Sequence, residues 1–166
     1  YRLQNALQEF IVKRGKGQTV IAGYPWFLDW GRDTFIAARG LLATGWGGAV
    51  RGIVHTFARL ERDGTLPNTL HGGDDSNRET SDAPLWFGLV CEELADEKGG
   101  SVYTETVGDR RSLLDVLVSI GTSYRDGTPN RIRMDSASGL VWSPSHFTWM
   151  DTNHPAGTPR EGYPIE

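Results

Sequence analysis

Cysteine is nearly missing from this chain: Cys91 is the single one among 166 residues. A disulfide within the chain is therefore excluded, and a lone thiol inside an apolar run suits a reducing, cytoplasmic setting. Long hydrophobic runs are missing too. No stretch approaches the roughly 20 apolar residues that a membrane span needs, so no membrane partner is expected. Charge of one sign is nowhere concentrated: 17 Lys and Arg stand against 21 Asp and Glu, for a net charge of -4. A nucleic-acid-binding face needs clustered cations, and none is expected. No signal peptide is recognisable, the chain starts at Tyr1, and Tyr163-Pro164-Ile165-Glu166 carries no terminating element. It reads as a piece of a longer protein.

Familiar chemical signatures are missing as well. His71, His146 and His154 lack metal-ligand spacing and His55 falls inside a helical pattern, so no metal or other cofactor is expected. The acidic run Asp74-Asp75-Ser76-Asn77-Arg78-Glu79 does not match a calcium-loop spacing. It reads as a solvated loop, with hydroxyl binding as a second choice. Gly45-Trp46-Gly47-Gly48 precedes a helix, but no Lys-Ser/Thr follows, which rejects a P-loop. No Ser or Cys occupies a nucleophile elbow. Fixed-period repeats and low-complexity segments are absent.

What the chain has in quantity is helical periodicity. With 38% hydrophobic residues it can bury one core. Leu3, Ala6, Leu7, Phe10 and Ile11 predict an amphipathic helix over 2–13. Thr19 to Ile21 predict a short extended piece. Asp33 precedes Phe35, Ile36, Leu41 and Leu42, as the N-cap or first-turn residue of a second helix. A third begins near Trp46 and carries the cleanest stripe, Ala49, Val50, Ile53, Val54, Phe57 and Leu60. The glycine connector between these two predicts an αα-hairpin. Residues 63–78 predict a polar loop. Glu79 to Leu94 read as a helix apolar nearly all round, hence surrounded by others. A further helix is expected over 107–125, and a β-hairpin near 131–142 across Ser136-Ala137-Ser138-Gly139. Helix pairs with chemically rich connections suit an all-α fold, a partial α/α toroid. An incomplete ring would expose its inner helices, notably Leu85 to Cys91, and invite self-association.

One stretch stands apart, Gly23-Tyr24-Pro25-Trp26-Phe27-Leu28-Asp29-Trp30-Gly31-Arg32-Asp33. Buried Asp and Arg are costly unless paired, and neighbouring Trp rings can stack on a flat ligand. The mixture predicts a site for a neutral, hydroxyl-rich, ring-shaped molecule; the alternative is a Trp-rich core anchor with an Asp29–Arg32 ion pair. The style recurs: Asp82 lies near Trp86, and Asp151 near Trp149. Sugar sites are built this way, with carboxylates for the hydroxyls and indole for the ring face. Glycoside hydrolysis needs two carboxyls, roughly 6.5–9.5 Å apart in inverting enzymes and about 5–5.5 Å apart in retaining ones.

Tyr24-Pro25-Trp26-Phe27-Leu28-Asp29-Trp30-Gly31-Arg32-Asp33-Thr34 resembles the signature of the C-terminal amylo-alpha-1,6-glucosidase domain of glycogen debranching enzymes. Gly64-Thr65-Leu66-Pro67-Asn68, Ser81-Asp82-Ala83-Pro84-Leu85-Trp86-Phe87, Thr148-Trp149-Met150-Asp151 and Thr158-Pro159-Arg160-Glu161-Gly162-Tyr163-Pro164-Ile165-Glu166 are similar to its other motifs, in family order. The resemblance implies the N-terminal to middle part, 1–166, of an (α/α)6 barrel that hydrolyses α-1,6-linked glucose at the branch points of glycogen or a related α-glucan. It implies that Arg32 and Asp33 grip the terminal glucose, with Trp26 and Trp30 shaping the wall and Asp29, Trp86, Trp149, Arg160 and Glu166 in binding or supporting roles. Asp151 falls at the general acid, with Asp82 the competing candidate or a substrate-binding carboxylate. A general acid must keep its proton near neutral pH, which calls for burial, here beside Trp149. The family's general base is expected beyond Glu166, so the 166 residues alone are expected to hydrolyse little or nothing. Two other readings stand beside this one, a non-catalytic glucan-binding helical module and a different α/α-toroid exo-glycosidase.

Overall fold

The apolar stripe of the third predicted helix is the centre of the molecule: Val50, Ile53, Val54 and Phe57 are all fully buried. The computed structural model describes residues 2–23, 26–108, 110–151 and 161–164. The chain forms helix α1 (Arg2–Glu9), the hairpin β1 (Ile11–Arg14) and β2 (Gly17–Val20), strand β3 (Asp29–Trp30), helices α2 (Gly31–Ala43) and α3 (Gly47–Ala58), and strand β4 (Thr69–Leu70). Then come helix α4 (Ala83–Lys98), a 3-10 turn at Gly100–Thr104, strands β5 (Thr106–Val107) and β6 (Arg111–Ser112), helix α5 (Leu113–Asp126), and strands β7 (Arg133–Met134) and β8 (Val141–Trp142). The architecture is mostly helical, with four two-stranded antiparallel pairs among the described residues. Among the described residues no helix is long and apolar enough to cross a membrane.

Helices α2, α3 and α4 pack on one another through aromatic rings. Phe35 of α2 meets Phe57 of α3 and Phe87 of α4 edge-on, with ring centroids 4.8 and 5.5 Å away. Each such pair adds about 0.5–1.5 kcal/mol beyond the area it buries. The short connection over residues 44–46 makes α2 and α3 the expected αα-hairpin.

Several boundaries differ from the periodicity. The first helix stops at Glu9, because β-branched Ile11 and Val12 pair with Val20 and Thr19 in a hairpin. Helix α4 starts at Ala83 rather than Glu79, with Asp82 as N-cap and Pro84 in its first turn. Proline lacks the N–H that later helical positions need, so it marks the true start. Helix α5 starts at Leu113 rather than 107, behind a capping box: Asp115 N–H donates to Ser112 Oγ at 3.1 Å, and Ser112 N–H to Asp115 Oδ2 at 2.8 Å. The stretch Leu85 to Cys91, expected to be exposed, is so only in part, with Trp86 and Leu89 half-buried. Leu85 is 53% exposed, whereas Phe87, Val90 and Cys91 are fully buried against α2 and α3.

Candidate active site

The site begins at β3, where neighbouring side chains point to opposite faces. Pairing of Asp29 with Leu70 and of Trp30 with Thr69 fixes that choice. Asp29, only 4% exposed, turns towards β1, where Nε and Nη2 of Arg14 bond its two oxygens. The same guanidinium donates to the carbonyls of Gly72 and Leu70. Trp30 turns the other way, into a cavity. Gly31 then starts α2 with its N–H on the Asn68 carbonyl at 2.8 Å. A Cβ there would sit 2.8 Å from the Pro67 carbonyl oxygen and 3.3 Å from Ala83 Cβ, so glycine is what lets helix, loop and α4 meet.

The loop between α3 and α4 is held at three points. Buried Glu61 accepts from Gly64 N–H and from Ser119 Oγ, both at 2.7 Å, and pairs with Arg111 at 2.6 Å. Gly64 has φ of +79°, and a Cβ would fall 2.2 Å from Ser123 Cβ. Arg78 donates to the carbonyls of Thr65 at 2.9 Å and Leu60 at 2.8 Å. Asn68 N–H donates to Asn77 O at 2.8 Å, folding the loop back on itself. Asn68, Asn77 and Glu79 thereby come to line the cavity that Trp30 enters.

The opposite wall is the segment after β8. Ser81 N–H donates to Phe147 O at 2.7 Å, Ser81 Oγ donates to the same carbonyl at 3.1 Å, and Ser143 Oγ donates to Ser81 Oγ at 2.8 Å. These bonds dock residues 143–148 on the start of α4 and bring His146 and Asp151 to the cavity. Its volume is about 590 Å³, within the range of small-molecule sites. His146 holds φ of +67°, a conformation rare outside glycine.

Two carboxylates converge on Arg32. Its Nε donates to Asp82 Oδ2 at 2.5 Å, and its Nη1 stands 3.7 Å from Asp151 Oδ2. Thr80 Oγ1 donates to the other Asp82 oxygen at 2.9 Å and receives the Ala83 N–H at 3.2 Å. Burial, with the Asp82 charge as a smaller contribution, pushes the Tyr124 hydroxyl well above its ordinary value, so it stays protonated and donates to Ser81 O at 2.7 Å. Arg32 Nη2, Asn68 Oδ1 and His146 Nε2 are buried without a hydrogen-bond partner among the described residues. Orphaned buried groups cost about 1–3 kcal/mol each, and two of the three residues, Asn68 and His146, belong to the cavity wall.

Of the residues singled out in the sequence, Trp30 and Asp151 line the cavity, and Arg32 and Asp82 back it. The others go elsewhere. Asp29 is engaged by Arg14, not Arg32. Asp33 is a first-turn residue, and Trp30 is the N-cap. The Asp33 side chain lies at a separate, apolar cavity of about 410 Å³ with Leu7, Phe10 and Ile36. Trp26 is 82% exposed, and Trp86 packs under the Arg39 guanidinium, 5.6 Å from its ring centre. Trp149 is exposed, so it does not supply the burial expected beside Asp151. Arg160 and Glu166 lie outside the described residues. Asn68, Asn77, Glu79 and His146 were not singled out as binding residues. The run containing Asn77 and Glu79 carried a hydroxyl-binding signal only as a second choice, and nothing local marks Asn68 or His146.

No group of three or more His, Cys, Asp or Glu among the described residues is placed to hold a metal ion. The arrangement offers carboxylates, amides and one indole to a neutral polar molecule. A family model described as amylo-alpha-1,6-glucosidase matches residues 5–166.

Proposed function

The chain belongs to the amylo-alpha-1,6-glucosidase family, and on that premise we propose that its cavity receives the α-1,6-linked glucose of a branched α-glucan such as glycogen. Trp30 offers its ring to the sugar face, and Asn68, Asn77 and Glu79 offer polar atoms to the hydroxyls. Asp151, shielded from water once the glucan fills the cavity, gives its proton to the glycosidic oxygen as the C–O bond breaks, and water adds at the anomeric carbon while its own proton passes to a separate base. Asp82, fixed by Thr80, holds the Arg32 guanidinium at the distance from which it orients Asp151. Asp29 acts through Arg14 by fixing the strand that presents Trp30.

The single observation that carries this reading is the chain Asp82–Arg32–Asp151 at the wall of a cavity lined by Trp30, Asn68, Asn77 and Glu79. In the same reading the helices are part of an (α/α)6 toroid, the base that activates water comes from sequence beyond Glu166, and the enzyme works in a reducing cytoplasm. Hydrolysis by the 166 residues alone is then slow or absent.

Asp151→Asn in the full-length protein is the test. Loss of glucose release from a phosphorylase-limit glucan, with glucan binding retained, supports the assignment. Unchanged hydrolysis refutes it.

A further inference from the structure

On the side of β3 away from Trp30, Arg14 does more than hold Asp29. It also lines a cavity of about 240 Å³, together with Lys16, Arg59, Asp75 and the pair Gly72-Gly73. These cations are far apart in sequence and meet only in the fold. We propose that this cavity binds a small phosphate-type dianion, either inorganic phosphate or the phosphate monoester of a small sugar. It shares no lining residue with the glucose cavity, and the inference does not depend on the glucosidase reading.

Charge selects the ligand. Lys16 and Arg59 are exposed and make no ion pair among the described residues, so both cations are available. Asp75, the carboxylate on this wall, is shared by two further guanidiniums, Arg62 at 2.8 Å and Arg78 at 3.4 Å. Arg14, Lys16, Arg59, Arg62 and Arg78 thus outnumber Asp29, Asp74 and Asp75 here, in a chain whose net charge is -4. Burial pushes the Arg78 guanidinium below its ordinary value; Asp75 opposes this, and the Arg62 charge adds to it. A further anion relieves that crowding. The carbonyls that would repel it are already occupied: Leu60 O by Arg78 Nη2 at 2.8 Å, and Gly72 O and Leu70 O by Arg14. The volume falls below the roughly 300–1,000 Å³ of drug-sized sites, which favours a small ligand. Asp74 and Asp75 disfavour an extended polyanion.

The walls are held by the fold. Gly17 lets the β1–β2 turn abut α3: a Cβ there would fall 2.2 Å from Thr56 Oγ1, and Gln18 N–H donates to that oxygen at 3.1 Å. This contact brings Lys16 to the same cavity as Arg59, the C-cap of α3. A second wall is the turn at Gly72-Gly73, around which His71 and Asp74 exchange N–H···O bonds of 3.0 and 2.9 Å. Gly72 has φ of +61°, and a Cβ at either glycine would meet nothing within 4 Å. The two glycine N–H groups bond nothing among the described residues, so this backbone is open to an anion.

Calorimetric titration of the full-length protein at constant ionic strength tests the site, with inorganic phosphate, glucose 6-phosphate and chloride as probes. Wild type is compared with Lys16→Gln and Arg59→Gln, and circular dichroism verifies folding. Both positions are exposed, so one variant serves if the other does not fold; Arg14 is left intact because it holds Asp29. Wild type is expected to bind phosphate or the ester, and each variant to weaken that binding about tenfold. With that loss seen, preference for inorganic phosphate assigns the site to the free ion and preference for glucose 6-phosphate to a sugar ester. Silence of both probes, binding that neither substitution weakens, or equal heat from chloride overturns the proposal. Isomaltose is titrated alongside: its failure to bind overturns the glucose cavity and leaves this site standing.

Discussion

Arg32 Nε donates to Asp82 Oδ2 at 2.5 Å, which ties the first turn of α2 to the N-cap of α4. Both side chains are largely shielded from water, at 11% and 18% exposure. Arg32→Ala therefore leaves a shielded carboxylate with only Thr80 beside it. The expected cost is about 2 kcal/mol, seen as a fall of roughly 4–8 °C in the thermal midpoint for a chain of this size. Glucan binding should weaken as well, because Asp151 loses the cation that orients it. A variant with wild-type midpoint and wild-type binding would remove Arg32 from both roles.

Asp29 and Trp30 are neighbours with separate jobs, and substitution tells them apart. Asp29→Asn should cost about 1.5–3 kcal/mol by breaking the paired bonds to Arg14, measured by urea unfolding. Trp30→Ala should cost less stability but weaken glucose binding about tenfold, since an aromatic wall is lost. If Asp29→Asn weakened sugar binding at unchanged stability, Asp29 would be a direct ligand instead.

The core was legible because it is local. The stripe on α3 declares its period within twelve residues, and all of Val50, Ile53, Val54 and Phe57 are buried as that period requires. The start of α4 was legible too, in Pro84, but the apolar pattern drew the helix back to Glu79. That shift hid Glu79 as a wall of the cavity. His146 was not legible as a wall of the cavity, and Asn68 only as the end of the motif Gly64 to Asn68. They come to one cavity only after Gly31 lets the loop abut α2 and Ser81 docks the segment around Phe147. The same holds for Arg14, which lies fifteen residues from Asp29 in sequence and takes the carboxylate that sequence proximity had offered to Arg32.

The link between α3 and the strand β5 depends on pH. Burial alone would raise the Glu105 carboxyl, but hydrogen bonds from Arg51 and His55, with their charges, outweigh it and hold the group below its ordinary value of 4.5. His55 Nε2 lies 2.6 Å and Arg51 Nε 2.7 Å from Glu105 Oε2. A carboxyl depressed on folding stabilises fully above its unfolded pKa and loses that contribution as pH falls through the folded value. Glu105→Gln should therefore lower the thermal midpoint at neutral pH, and the gap to wild type should close below about pH 4.5. A gap that is constant with pH would show that the charge is irrelevant to this contact.

Burial pushes the Cys91 thiol far above its ordinary value of 9.0. The thiolate is the reactive form, so Cys91 should resist a thiol reagent such as Ellman's in the folded protein and react at once in denaturant. Rapid labelling under native conditions would mean that α4 is open to solvent, against its fully buried face.

The central claim is that a glucose unit sits between Trp30 and Asp151. Titration of the isotope-labelled protein with isomaltose, followed by NMR, tests it most directly. The Trp30 indole N–H and the side-chain amides of Asn68 and Asn77 should shift together along one binding curve, and Asp151→Asn should leave that curve in place. Resonances of the buried Phe35, Phe57 and Phe87 rings should stay still. Unmoved Trp30 and Asn68 signals at saturating isomaltose, or shifts confined to residues away from this cavity, would contradict the account.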